Sequence, residues 1–185
     1  MNAKSAHESR AVKASIVLPP DTNHHGTMFG GKVMAYIDDL AAISATRHAR
    51  MPVVTASTDS VDFLHPVRNG ESVCLESFVT WTHKTSIEVF VKVVAEDLLT
   101  GERNVCTPAF LTFVAVDRDE IPQPVPPVIP ETELERFLHE GAPARAEVRR
   151  RRRGVAKDLA ARFGVRKEWE RWMEEAGTGA LGRVD

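Results

Sequence analysis

The sequence predicts an α+β domain in which five long antiparallel strands curl around one long helix. Three observations lead there: one extended segment of helical apolar spacing, five strand-like segments of which four have period-two spacing, and short turns joining the last four of these. The chain of 185 residues has room for one compact domain with an appendage. With 43% hydrophobic and 27% charged residues it can bury a core, which excludes wholesale disorder.

Residues 10–18 (RAVKASIVL) set Val12, Ala14, Ile16 and Leu18 at period two, the apolar row of a half-buried strand that ends at Pro19-Pro20. A polar loop follows, then Gly30-Gly31. From Lys32 to Arg50 the spacing changes, and Val33, Met34, Ile37, Leu40, Ala41 and Ser44 recur at three and four. That is a helix, rich in alanines that allow close packing, and Pro52 ends it. Residues 53–64 are β-branched and polar and stop at His65-Pro66, with Asn69-Gly70 as the next turn. Residues 71–83 and 86–96 alternate strictly, and Val105 to Ala115 form the last long strand after the turn at Gly101.

Charge and punctuation set the boundaries. Residues 1–130 hold 11 basic and 15 acidic side chains, whereas residues 131–185 hold 13 and 11. Between them Ile121–Pro130 carries five prolines and reads as an extended connector. The expected organisation is a core domain over 8–120, a connector over 121–130 and a charged, partly helical tail over 131–185. Within the tail, 131–141 and 158–175 have helical spacing, the second through Leu159, Phe163, Trp169, Trp172 and Met173. Five consecutive arginines, Arg149–Arg153, lie between them, read as part of a solvated tail with possible attraction to polyanions.

Several classes are excluded. No apolar run approaches a membrane span, and the first fifteen residues have no signal-peptide core, so a cytoplasmic protein without membrane insertion is expected. Cys74 and Cys106 are too few for a disulfide scaffold or a thiolate zinc site, and they read as packed thiols. The net charge of −2, with no aromatics interleaved in the arginine run, argues against a nucleic-acid binder. His24-His25 lacks supporting ligands at local spacing, so no metal is expected.

The segment Asp21–Gly31 running into a helix that carries Asp38 is the chemically distinctive one. Gly30-Gly31 at a helix start permits close backbone approach and leaves the first N–H groups pointing outward. Asp38, seven residues past Gly31, returns to nearly the same helical face. Amides and a carboxylate on one face can serve an acyl carbonyl and a water. By spacing alone, a glycine-softened loop and a solvated aspartate are the favoured account, since a lone Gly-Gly before a helix is weak evidence of a site. Asp59 and Asp62 fall on opposite faces of one strand and form no local pair.

The strings DTNHHGTMFGGKVMAYID (21–38), ATRHAR (45–50), VVTASTDSVDFLHPVRNGE (53–71), KTSIEVFVKVVAEDLLTGER (84–103) and FLTFVAVD (110–117) resemble the hotdog-fold acyl-CoA thioesterases. The branch is the one holding the bacterial acyl-CoA hydrolases and the cytosolic brain-type hydrolase, and the likeness extends to residue 135. It implies a hotdog domain that hydrolyses acyl-CoA to a free fatty acid and coenzyme A, with no cofactor beyond the coenzyme A of the substrate. It implies Asn23 and Asp38 as a catalytic pair drawn from opposite subunits, with Asp39 the second choice for the acid, and Gly31 as the oxyanion amide. It also implies a homo-oligomer, a hexamer built as a trimer of dimers. Gly30, Lys84, Thr85, Ser86 and Arg103 match regions that line the coenzyme A groove in relatives, or else serve as strand-end hydrogen-bonding residues. The rival readings are a non-catalytic acyl-CoA sensor on the same fold and a hotdog hydratase. An intact Asn23 and Asp38 favours the enzyme over the sensor.

Overall fold

The computed structural model describes residues 1–163, so Trp169, Trp172 and Met173 lie outside the described residues. The strands are β1 (Lys4–Ser5), β2 (Ala11–Ile16), β3 (Val53–Val61), β4 (Ser72–His83), β5 (Ser86–Glu96), β6 (Arg103–Ala115) and β7 (Val128–Ile129). The helices are α1 (Gly30–Ala49) and α2 (Glu133–Phe163). Five strands form one antiparallel sheet in the order β2-β4-β5-β6-β3.

Helix α1 lies along the inner face of that sheet. Val33, Ile37, Leu40, Ala41, Ser44, Ala45 and His48 are its buried side, the three-and-four spacing read from the sequence except that Met34, expected in that row, is exposed. Opposite them stand Val73, Leu75, Val79, Ile87, Val89, Val91, Val93, Leu111 and Phe113, all essentially inaccessible. The helix passes close enough for Ser44 Oγ and Ser77 Oγ to meet at 2.7 Å, and Ser77 Oγ donates to Leu40 O at 3.2 Å. Both hydroxyls are therefore satisfied inside the core. The helix ends at Arg50, whose left-handed backbone (φ 56°) returns its N–H to Thr46 O at 2.8 Å.

Strand β2 turns the other way from the expected one. Val12, Ile16 and Leu18 are exposed, and Ala11 and Val17 face the core. The cause lies just upstream, where buried Ser9 Oγ accepts the Val79 amide at 2.9 Å. That bond sets the register in which Ala11 pairs with Ser77, a residue already facing α1. A one-residue change of parity moves the whole row to the other face.

The proline-rich segment is extended as expected, but it is docked against the domain. Its non-proline residues provide the N–H groups: Gln123 donates to Ala115 O at 2.8 Å and Val125 to Lys84 O at 2.9 Å. Val125 and Val128 are buried, and β7 pairs in parallel with β1. Beyond it, Thr132 and Glu135 form a capping box: Thr132 Oγ1 accepts the Glu135 amide at 3.2 Å and Glu135 Oε2 accepts the Thr132 amide at 3.1 Å. Arg10 Nη2 reaches the buried Glu135 carboxylate at 3.2 Å. Burial pushes this carboxyl up, but the Glu131 and Thr132 amides and Arg10 outweigh it and hold it below its ordinary range.

The compact unit thus runs through Pro143, well past the boundary drawn at residue 120. A second unit begins at Ala144 and holds the rest of α2 to Phe163. The helix is continuous through the arginine run, where the sequence reading set two separate helical pieces. Among the described residues no helix is long and apolar enough to cross a membrane.

His48 joins α1 to the proline segment. Its ring is fully buried, and Nε2 lies 2.9 Å from Pro126 O. A carbonyl only accepts, so Nε2 carries the proton, while buried Nδ1 has no partner among the described residues. Burial lowers the pKa of His48, against the opposing pull of the Pro126 carbonyl. The stabilisation from a depressed histidine pKa is fully present above the unfolded value of about 6.5 and is lost as pH falls through the folded value. Urea midpoints should therefore decline below about pH 6.5, and His48→Gln, which does not titrate, should flatten that decline.

Candidate active site

The loop before α1 is held by Asn23. Its Oδ1 accepts the His25 amide at 2.9 Å and the Thr27 amide at 3.3 Å, and Nδ2 donates to Thr27 Oγ1 at 3.0 Å. Gly26 closes the turn at φ +72°, donating to Asn23 O at 3.0 Å. The loop is tied to the helix start by Phe29 N–H on Asp21 O at 2.9 Å and by the Lys32–Asp21 ion pair at 3.2 Å. The bond to Asp21 raises the Lys32 pKa.

Phe29 precedes α1 without supplying a side-chain cap, and the amides of Lys32 and Val33 both bond to Phe29 O. Gly30 and Gly31 are left as the two outermost donors of the helix start. Beside them an open cleft of about 370 Å³ is walled by Met28, Val33, Phe63, Leu64 and Val67, with Gly30 at its edge.

Asp38 stands two turns further along α1, half-buried, with Oδ1 accepting from Thr55 Oγ1 at 3.0 Å. Thr55, on β3, is the residue that sequence reasoning missed. Nothing in its own string marks it, because the contact spans 17 residues and exists only once β3 lies beside α1. Asp39 is engaged elsewhere, 3.9 Å from Lys13 and mostly exposed.

The expected site residues do not all meet within one chain. Asp38 and Gly31 share a face, but seven residues separate them by about 10 Å along the helix axis. One thioester carbonyl cannot touch both. Asn23 and Asp38 share no hydrogen bond, since each is engaged in its own segment. Lys84 and Thr85 form the β4–β5 turn and Ser86 opens β5, with Lys84 at φ 51° and Thr85 O accepting the Ala115 amide at 3.0 Å. Arg103 lies at the far end of β5, where it pairs with Glu96 at 2.9 Å. The ten residue steps of β5 place the turn and Arg103 about 34 Å apart.

The remaining candidates have structural partners. Asp59 accepts from Thr112 Oγ1 at 2.7 Å and from Ser57 Oγ at 2.6 Å. His24 and His25 stack tilted on the surface, their ring centroids 3.8 Å apart, and no group of three metal-ligating side chains gathers among the described residues. Cys106 is buried, and burial pushes its thiol pKa up.

A family model described as the thioesterase superfamily matches residues 25–102. The chain is also 56% identical over 162 residues to an acyl-CoA thioester hydrolase of Bacillus subtilis named YkhA, covering 88% of this chain and 94% of that one. The chain belongs to the thioesterase superfamily. Two solved structures share its hotdog fold. An apo-hexameric acyl-CoA thioesterase is 53% identical with a TM-score of 0.81, covering 82% of this chain and 97% of its own. A Staphylococcus aureus acyl-CoA hydrolase with butyryl-coenzyme A, coenzyme A and its disulfide is 42% identical with a TM-score of 0.84, covering 87% and 98%. That hydrolase has also been solved with an aspartate, an asparagine or a threonine replaced by alanine.

In this thioesterase-superfamily chain the glycine at the helix start can be probed without breaking the fold. A Cβ on Gly31 would sit 2.7 Å from Cε1 of Phe29, whose ring is exposed and can swing aside. Alanine also gains up to about 1 kcal/mol of helix propensity over glycine. Gly31→Ala should keep its melting temperature within a few degrees of the parent while thioester hydrolysis falls at least tenfold, as seen by thermal unfolding beside a thiol-release assay.

Proposed function

We propose that the chain hydrolyses acyl-CoA thioesters to a free acid and coenzyme A, with Asp38, Asn23 and Gly31 at the reacting centre. The observation that carries this reading is a carboxylate, Asp38, held by Thr55 on the helix that opens with two uncapped glycine amides. A thiol of pKa about 8.5 departs readily as thiolate, so the reaction needs no strong acid and no cofactor. It needs a carboxylate that takes a proton from water or attacks directly, and donors aimed at the developing oxyanion. Asp38 fills the first role and the amide of Gly31 the second. Asn23 orients the water or carbonyl, and the apolar cleft beside Gly30 receives the acyl chain. The alanine variants of the S. aureus hydrolase replace the residue types of Asp38, Asn23 and Thr55, which supports this grouping.

The site is completed by a second copy. The 10 Å between Gly31 and Asp38 leaves each with half of a reacting centre. Strand β3 is a sheet edge, and Phe29, Phe63 and Leu64 are exposed near the end of that strand and the helix start. Antiparallel joining of two β3 edges brings the Lys84–Ser86 end of one copy toward the Gly30–Gly31 end of the other. Lys84, Thr85 and Ser86 of one copy and Gly30 and Arg103 of the other then border one coenzyme A groove. Three such dimers would make a hexamer, a trimer of dimers, and the hexameric state of one relative agrees with that number of subunits.

Asp38→Asn should lower kcat by roughly 10²–10⁴-fold with an unchanged melting temperature, since an amide neither accepts the proton nor attacks. Thr55→Val keeps the shape and removes the bond to Asp38, so a loss of about tenfold, mostly in kcat, is expected from steady-state kinetics. Near-parent turnover in Asp38→Asn would overturn the assignment. Mixed oligomers of Asn23→Ala and Asp38→Asn subunits should regain activity that neither variant has alone, as one site in each mixed dimer keeps both residues. Co-expressed heterodimers with no recovery would exclude a shared site.

A further inference from the structure

Residues 144–163, the described part of the second unit, carry eight basic and two acidic side chains in a chain whose net charge is −2. Every residue from 151 to 163 is exposed. Along this helix Val148, Val155, Leu159 and Phe163 are 67%, 59%, 46% and 68% exposed. At 100° per residue they fall within about 80° of arc, Val155, Leu159 and Phe163 as a continuous row and Val148 separated from it by Arg152. Arg151 and Arg162 flank the row, Arg150, Arg153 and Lys157 lie across from it, and Arg152 falls within it. Glu147 neutralises part of this charge, pairing with Arg150 at 2.6 Å and Arg151 at 3.2 Å. The hydrolytic chemistry uses none of these residues.

Single exposed apolar residues need no partner, but a continuous row of them marks an interaction surface. A second copy of the helix is a poor occupant, because apposing two such rows brings their flanking arginines together. A nucleic acid would be drawn by the charge yet leave the apolar row in water. An anionic lipid surface uses both. The row sits at the acyl boundary while the long arginine and lysine stems carry their charges up among the headgroups. We infer that this helix docks the protein peripherally on anionic membranes, through Val148, Val155, Leu159 and Phe163 and the basic residues beside them. The inference stands apart from the hydrolytic reading, because docking needs no turnover.

The test is co-sedimentation of the full chain with vesicles of phosphatidylcholine alone or with about a third phosphatidylglycerol. At 0.1 M salt, partitioning onto the anionic vesicles should exceed that onto neutral ones at least tenfold and fall as salt rises. Replacing Arg151, Arg153 and Arg162 by Gln should cut it roughly a hundredfold. Leu159→Gln with Phe163→Gln, at unchanged charge, should cut it at least tenfold. Acyl-CoA turnover should be unchanged in both variants, which reports that the catalytic unit is folded. Equal binding to neutral vesicles, no binding to either, or parent-like binding by the Leu159→Gln/Phe163→Gln variant would each overturn the proposal. So would tighter capture by RNA than by anionic vesicles at the same salt.

Discussion

One helix has to satisfy the concave face of five strands, and most of the structure follows from that constraint. A single α-helix offers an apolar stripe scarcely wider than 100°, whereas the sheet presents a broad inner face of valine, leucine, isoleucine and phenylalanine. The mismatch is resolved by curvature and close approach. Ala41, Ser44 and Ala45 are all fully buried, so the backbone of α1 lies near the central strands, and the sheet wraps the larger side chains on either side. The Ser44–Ser77 bond, with Ser77 also bound to Leu40 O, is the polar cost of that closeness met within the core.

Because α1 is fixed along its length, whatever it carries is positioned as well. Its first turn presents two glycine amides, its third turn a carboxylate, and its last turn a histidine that holds the proline segment. This rigid spacing makes Asp38 well oriented toward Thr55 and also keeps it from reaching the glycines of its own chain. Helix geometry alone therefore keeps the carboxylate and the glycine amides of one chain about 10 Å apart.

The helix and the four strands after it were legible in the sequence because their periodicity is local and long. Their inner faces are also the ones alternation predicts, as Val73, Leu75 and Val79 or Ile87, Val89, Val91 and Val93 show. Strand β2 was legible as a strand but not in its facing. Its apolar row is outward because Ser9, a residue before the strand, bonds to Val79 some 70 residues away. Thr55 was missed for the same kind of reason, since its role depends on a neighbour across the sheet-to-helix interface. The proline segment looked like a linker because proline density is a composition signal. What docks it is the placement of Gln123 and Val125 between prolines. Of the candidate site, local pattern marked the glycines and Asp38 only as unusual and the family resemblance implied their roles, while the separation of Lys84–Ser86 from Arg103 required knowing where β5 begins and ends.

That placement has a consequence for what the surface can recruit. In an extended chain alternate N–H groups point the same way, so those of Gln123 and Val125 both face the domain. The positions that would face outward, 122, 124 and 126, are all proline, and 127 is proline too. From 122 to 127 the outer side of the segment therefore has no hydrogen-bond donor for an incoming strand. The molecule gains a guarded border there, one that takes part in its own fold and offers a stray β-strand, from an unfolded neighbour or a nascent chain, carbonyl acceptors but no N–H donor.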